Sequence, residues 1–367
     1  MAVVAINPLR RSLLIACCIV ASISQAAVLP DNRADIMYHS YQGDGVTVDG
    51  PAVLVRKDLT ANVSVSGSYY ADTISSASID VVATASPYAD KRDEWGMGID
   101  YVHNNVLLNL SYLTSKESDY SADTLDVNLS QEVFAGMTTL GMGFSRGWDN
   151  VGRSDTSFRD VVDRYQYRLG VSQILTKTLV VNLDYEGISD EGYLNNPYRY
   201  ARVLSAFVPE RYPRTHTSNA LAIRAIQYLP WRGSARVDYR YSRDTWELAA
   251  HTLEFSYNQY IKTRWLSEWR YRYYSQNAAS FYSDNFQSEL NFMARDKELS
   301  EFTSHTVGVK LSYFLFQKKL ANVIDNATVH VGYDFLTFNY DNFTDLRNGR
   351  LYEFNAHVLQ FIFSAWY

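Results

Sequence analysis

The chain has 367 residues, a formal net charge of -6, 20% charged residues and 14% aromatic residues. The acidic balance argues against a nucleic-acid partner, and past residue 26 no uncharged apolar run of about 18 residues offers a membrane-spanning helix. What stands out is the load of 29 Tyr and 7 Trp, rings that are apolar along the body and polar at the tip and that favour a membrane–water boundary.

In chain order, Arg10 and Arg11 precede an apolar stretch from Leu13 to Ile23, followed by the small residues Ser24 and Ala26. This pattern predicts a cleaved secretory signal peptide over residues 1–26 and a single domain over 27–367. Leu14-Ile15-Ala16-Cys17 has the look of a lipobox but lies too close to Arg11 for a normal apolar core. Twin-arginine export, which carries folded cargo, does not suit the architecture argued below. Cys17 and Cys18 are the only cysteines, so the exported part has no disulfide, thiolate metal site or cysteine nucleophile.

From there on the signal is alternation. Val63, Val65, Gly67 and Tyr69 alternate with Asn62, Ser64, Ser66 and Ser68, and Trp95, Met97, Ile99 and Tyr101 with Gly96, Gly98 and Asp100. The same period recurs at Leu125–Ser130, Arg164–Ser172, Leu179–Glu186 and Arg236–Tyr241. Segments of about nine to eleven residues with one apolar and one polar face are the length and pattern of tilted transmembrane strands. Short connections fall at Lys57–Asp58, His103–Asn105, Phe134–Met137, Leu175–Lys177, Pro230–Gly233 and Ile261–Lys262. Long polar ones fall at Asp72–Glu94, Trp148–Val161, Ser189–His216 and Gln276–Glu301. With Ile36–Gln42 as a first strand and Gly43-Asp44-Gly45 as a tight outer turn, the expectation is an all-β, antiparallel up-and-down transmembrane barrel of about 16 strands, with short periplasmic turns and long outer loops.

Counting back from Tyr367, every second residue is apolar: Ala365, Phe363, Phe361 and Leu359. This resembles the C-terminal signal read by the barrel assembly machinery, with Phe361, Phe363 and Tyr367 as its aromatic positions. The expected location is the bacterial outer membrane, with outer-membrane lipid as the first partner.

The segment Val46–Lys57 (VTVDGPAVLVRK), continuing through Ser64–Asp72 (SVSGSYYAD) and Ser76–Tyr88 (SASIDVVATASPY), resembles a bacterial family known as domain of unknown function 3570. The resemblance implies an outer-membrane barrel and brings no catalytic residues to carry over. It also implies a genetic neighbourhood of extracytoplasmic flavin-attachment and thioredoxin-like proteins.

Any function is expected on the polar face. Alternation places Arg164, Arg168, Asp184, Glu186, Arg224, Arg236, Asp238, Arg240, Glu254, Glu268, Arg270 and Arg272 toward the lumen, because a cation facing lipid near the midplane costs about 2–4 kcal/mol. Such a lining either selects charged solutes or pairs internally and stiffens the wall. Ser189–His216, with Tyr193, Tyr198, Tyr200, Arg199, Arg202, Arg211 and Arg214, can be an exposed loop, an inward constriction or a ligand surface. Ser76–Tyr88, with Ile79, Val81 and Val82, reads as a loop packed against protein. Seven scattered His show no metal-ligand spacing, no cofactor motif occurs, and Gly96-Met97-Gly98 and Gly141-Met142-Gly143 suit a tight wall rather than a phosphate loop. The leading expectation is a channel passing small polar solutes. A non-conducting scaffold for a periplasmic or surface partner, in a redox setting, is the alternative. An enzyme comes third and requires an inward His–acid pair at one rim.

Overall fold

A computed structural model describes residues 27–76, 88–204, 206–316 and 324–367. The leader over 1–26 and the core of the Ser76–Tyr88 loop lie outside the described residues. The first nine strands are β1 (Arg33–Gly43), β2 (Val46–Thr60), β3 (Val63–Ser76), β4 (Tyr88–His103), β5 (Val106–Lys116), β6 (Tyr120–Val133), β7 (Thr138–Gly152), β8 (Arg159–Ile174) and β9 (Leu179–Gly192). A small hairpin, β10 (Tyr200–Val203) and β11 (Ala206–Pro209), stands apart. The remainder are β12 (Thr215–Leu229), β13 (Gly233–Asp244), β14 (Ala249–Ile261), β15 (Trp265–Gln276), β16 (Phe302–Phe316), β17 (Asn326–Asp345) and β18 (Arg350–Trp366).

All strands but β10 and β11 form one closed antiparallel barrel of sixteen, in which β9 pairs with β12 and β1 with β18. Closure satisfies the backbone groups of every strand, which is why modestly apolar segments can cross hydrocarbon. The register sorts the two faces as the period demands. Ile36, Phe363 and Val53 lie side by side on one face, roughly half-exposed, as do Leu169, Tyr185 and Leu221. Phe361 and Phe363 belong to this outward row. The turns after β2, β4, β6, β8, β12 and β14 and both described chain ends share one rim, which by the usual rule is periplasmic.

The observed strands run further outward than alternation indicates. Asp72–Glu94 contracts to a connection over 77–87, Trp148–Val161 to 153–158 and Ser189–His216 to 193–214, while the Lys57–Asp58 turn moves to Ala61–Asn62. Above the lipid the outer face no longer has to be apolar. There Lys91, Asp93 and Asp163 point outward, alternation fades, and the ladder nevertheless continues.

A belt marks where that change happens. On rising strands a tyrosine hydroxyl donates to a polar side chain on the next falling strand, two residues nearer the outer rim than the residue directly opposite. Tyr38 lies opposite Pro51 and bonds Asp49 at 2.8 Å. Tyr69, opposite Trp95, bonds Asp93 at 2.6 Å. Tyr112, opposite Leu125, bonds Asp123 at 2.7 Å, and Tyr185, opposite Leu221, bonds Asn219 at 2.6 Å. Between β7 and β8 an Arg146–Asp163 ion pair at 3.4 Å takes the same place. The three remaining hairpins continue the pattern with histidines. On β15 the chain climbs from Trp265 near the periplasmic rim to Tyr273 beside this belt, roughly 20 Å of height for strands tilted about 40° and close to a membrane's apolar band.

The seam between β1 and β18 is tied at its periplasmic end. Tyr367 donates to the Arg56 carbonyl at 2.9 Å, Lys57 sits 4.8 Å over the Tyr367 ring, and Arg33 sits 5.1 Å over the Trp366 ring. Together these contacts are worth about 2–3 kcal/mol. Deleting Trp366 and Tyr367 is therefore expected to lower the fraction of barrel that migrates as the folded, heat-modifiable species on gels. Undiminished folding would show that the seam closes without them.

Candidate functional site

The register puts all twelve charged residues singled out above on the face opposite the outward apolar rows, which in a closed barrel is the inner face. Arg224 stands beside Asp238, Asp238 beside Glu254, and Glu254 beside Arg272 across four successive strands. Ion pairs knit this wall. Arg164 reaches Asp149 at 2.5 Å and Asp190 at 3.2 Å, and Arg240 reaches Glu186 at 3.0 Å. Arg236 meets Asp238 at 2.8 Å and also pairs with Glu254, which holds Arg272 at 3.0 Å. Arg270 takes Asp334 at 2.7 Å, Arg168 takes Asp126, Arg224 takes Asp238, and Glu268 takes Lys310 at 2.9 Å. Asp184 lies over Gly170.

Several of these pairs span an intervening strand, and glycine makes that feasible. A Cβ on Gly308 would sit 2.0 Å from an Asp334 carboxylate oxygen and 3.3 Å from Arg270 Nε; one on Gly143 would sit 2.9 Å from Arg168 Nε. The guanidinium lies flat across the bare backbone to reach its carboxylate. Gly143 belongs to the second Gly-Met-Gly, whose Met142 faces outward.

The inner surface is lopsided. In a ring of sixteen, β13–β15 lie across from β3–β5. The first set carries the Arg236, Arg240, Arg270 and Arg272 wall. The facing set carries Ser64, Ser66, Ser68, Gly96 and Gly98 at mid-height on its inner rows, with Asp100 at their lower end and Asp72, Arg92 and Glu94 paired above them toward the outer rim. Pairing does not exhaust the wall, since Arg240 and Arg272 keep 43% and 52% of their side-chain surface accessible and a guanidinium has five donors.

Over the outer mouth lies a cap that neither long loop announced. The 193–214 segment, carrying the β10–β11 hairpin, packs against 277–301 through bridges Val203–Phe286 and Arg211–Met293. Tyr212, Trp246, Phe281 and Leu299 form one buried cluster, and Ala201, Phe286 and Met293 another. Within it Arg199 pairs with Asp296, the buried Arg295 bonds the Thr344 carbonyl at 2.6 Å, and Lys297 reaches Asp44 of the β1–β2 turn at 2.8 Å. On the far side Arg153 of the β7–β8 connection donates to the Pro197 carbonyl at 3.0 Å. The cap thus spans the mouth, so Ser189–His216 is neither a free loop nor a simple strap. Burial, followed by the charge of Glu210, pushes the Tyr212 phenol well above its ordinary range, keeping it a donor to Glu210 at 3.0 Å and Asp296 at 3.2 Å.

Two inward His–carboxylate pairs were hidden from sequence reading. Buried His39 meets Asp72 at 2.7 Å and Tyr70 at 2.9 Å, and His216 meets Asp244 at 2.9 Å and Asp190 at 3.6 Å beneath the Trp246 ring. These are the kind of pair an enzymatic reading needs, and each is fixed within a rim network. Asp90, Glu117 and Asp119 also bring three carboxylates within 4.8 Å at the outer rim, a donor set of the type hard cations use. Burial, reinforced by Asp90, raises the Glu117 carboxyl above its usual range. Asp90 comes from the start of β4 and the other two from the β5–β6 connection, which explains why spacing along the chain does not reveal them.

Among solved structures the chain is similar to a bacterial polysaccharide outer membrane secretin, at 9% identity over 92% of this chain and 100% of that one, with a TM-score of 0.52. It is also similar to OprD of Pseudomonas aeruginosa (8% identity, 93% and 96% covered, TM-score 0.46) and OmpT of Vibrio cholerae (9% identity, 93% and 100% covered, TM-score 0.47). At 9% identity the likeness to the secretin speaks for the barrel fold alone. No curated protein matches the sequence. Residues 78–326, about two-thirds of the chain, match the family described as Protein of unknown function (DUF3570), and the chain belongs to that family.

Proposed function

We propose that the protein is an outer-membrane channel for small anionic or zwitterionic solutes, brought to the envelope by a leader ending at Ala26 and handed to the barrel assembly machinery through its final aromatic strand. The observation that carries this reading is the lopsided lumen. Sixteen-stranded barrels are wide enough for an aqueous path, and here one wall is armoured with arginines while the wall across from it is lined at mid-height by serine and glycine, its charged residues set toward the two ends. The small-residue wall leaves room. The arginine wall supplies a transverse field and spare N–H donors, arranged as planar forks suited to carboxylate or phosphate groups. Pairing to Glu254, Glu186 and Asp334 holds the guanidiniums in place and tempers their charge, which suits passage better than tight capture.

The cap governs access from outside. Its contacts are charge pairs and small aromatic clusters rather than one continuous core, so it acts as a sieve laid over the mouth. It also supports the alternative, a non-conducting scaffold, should the cap seal the barrel to ions.

Reconstituted in planar bilayers, the protein is expected to give discrete conductance steps with a reversal potential displaced toward anions under a salt gradient. Arg240→Gln with Arg272→Gln is expected to move that potential toward the cation side with the barrel still heat-modifiable. A folded but silent barrel would overturn the channel reading and favour the scaffold. Excising 279–298 from the cap is expected to raise the unitary conductance severalfold, and an unchanged conductance would mean that the cap does not limit flow.

A further inference from the structure

The tyrosine belt changes chemistry as it goes round. On β1–β8 the acceptors are Asp49, Asp93, Asp123 and Asp163, whereas on the last three hairpins they are His251, His305 and His357. Tyr239 Oη and His251 Nδ1 share a hydrogen bond at 2.8 Å, as do Tyr271 and His305 at 2.9 Å and Tyr333 and His357 at 2.7 Å. The geometry is the same three times. Each histidine lies directly opposite a second ring, Tyr241, Tyr273 or Phe335, at 4.9, 5.2 and 5.3 Å between centroids, with tilts of 44°, 48° and 48°. Three unrelated stretches of sequence, separated in each pair by 12, 34 and 24 residues, converge on one arrangement.

That arrangement has a chemical consequence. A neutral imidazole whose Nδ1 accepts from a tyrosine must carry its proton on Nε2, and a protonated one carries a proton there in any case. With the three tyrosines as donors, the role their counterparts play toward Asp49, Asp93 and Asp123, the belt presents three Nε2–H groups on the outer surface at one height, and among the described residues no side chain takes them. The aromatic partners below sit against hydrocarbon, so the donors stand where acyl chains give way to headgroups. In the next outward row of the same face come Arg243, Ser275, Thr303 and Asn355, donors rather than carboxylates. The β1–β8 side, with aspartates in the belt itself, would repel an anion at that depth.

The geometry points to the histidine arc on β13–β18 as a binding site for a phosphorylated lipid headgroup of the outer leaflet. The phosphate oxygens accept from the Nε2–H groups, and the lipid's chains lie along the outward Leu253, Val307 and Leu359 beneath them. Short N–H contacts to an ionised phosphate are stronger than neutral hydrogen bonds, and the ring pairs hold the donors in place before the lipid arrives. The arc is on the outside of the barrel, so the site stands or falls independently of conduction.

The test is native mass spectrometry of the detergent-purified protein titrated with bisphosphorylated lipid A, with the same lipid stripped of phosphate, and with inorganic phosphate alone. The expected result is retention of the phosphorylated lipid over both others. Retention should fall by roughly tenfold, as loss of two or three modest hydrogen bonds gives, in His251→Phe/His305→Phe/His357→Phe, which keeps the rings and removes the donors. Heat modifiability reports whether that variant folds, and His305→Phe alone should give a smaller loss in a nearly native barrel. Equal retention by folded variants, equal retention of dephosphorylated lipid, or binding of free phosphate as strong as that of the lipid would each overturn the assignment.

Discussion

Hydrocarbon offers no partner to a peptide group, and everything in this molecule follows from that. A chain with few long apolar runs can cross a membrane only if each strand finds a neighbour on both sides, so sixteen strands must close with β1 on β18. Closure then fixes register all round the ring, and register decides which side chains are neighbours. The Arg–carboxylate ladder, the tyrosine belt and the anchoring of the cap are consequences of strand alignment rather than separate inventions. A one-residue slip of β14 against β15 would turn Glu254 out to lipid and bring Phe255 into the lumen.

Closure also explains the glycines. A barrel wall is a single layer, and a long side chain on its inner face must lie along the wall or project into the lumen. Gly143 and Gly308 let Arg168 and Arg270 lie along it, reaching acids two strands away. Burying a charge against protein is tolerable only when it is paired, and half-exposed guanidiniums over bare backbone meet that condition while retaining water. The price is positional: a side chain at either glycine would displace the pair, so the small residue is as much part of the charged wall as the arginine.

How much of this was legible beforehand depends on range. Alternation is local, so the outward row Trp95, Met97, Ile99 and the final row Phe361, Phe363 can be read directly, as can turns such as Phe134–Met137. Anything needing register is not. Nothing near Tyr271 announces His305, and nothing near Arg211 announces Glu289, 78 residues away. Strand ends escape sequence reading for a related reason: once a strand leaves the lipid its outer face is free to be polar, so Lys91 and Asp93 look like loop residues while the ladder runs on beneath them. The cap was invisible because its aromatic cluster is assembled from Tyr212, Trp246, Phe281 and Leu299, contributed by three different connections.

Period-2 geometry gives each strand two rows that answer to different surroundings. On β15 the outward Trp269, Tyr271 and Tyr273 are set by the membrane, while Glu268, Arg270 and Arg272 are set by whatever occupies the lumen. Neither row constrains the other except through the shared backbone. Asymmetry in both rows therefore calls for two causes. Closure demands pairing, and it demands an apolar band, but it asks for neither an arginine-rich wall across from a mid-height band of serine and glycine nor histidines in place of aspartates on three consecutive hairpins. A barrel serving only to fill a hole in the membrane would have no reason to distinguish its sides. This one distinguishes them inside and out, which is the physical ground for assigning it a charged solute within and a phosphorylated lipid without.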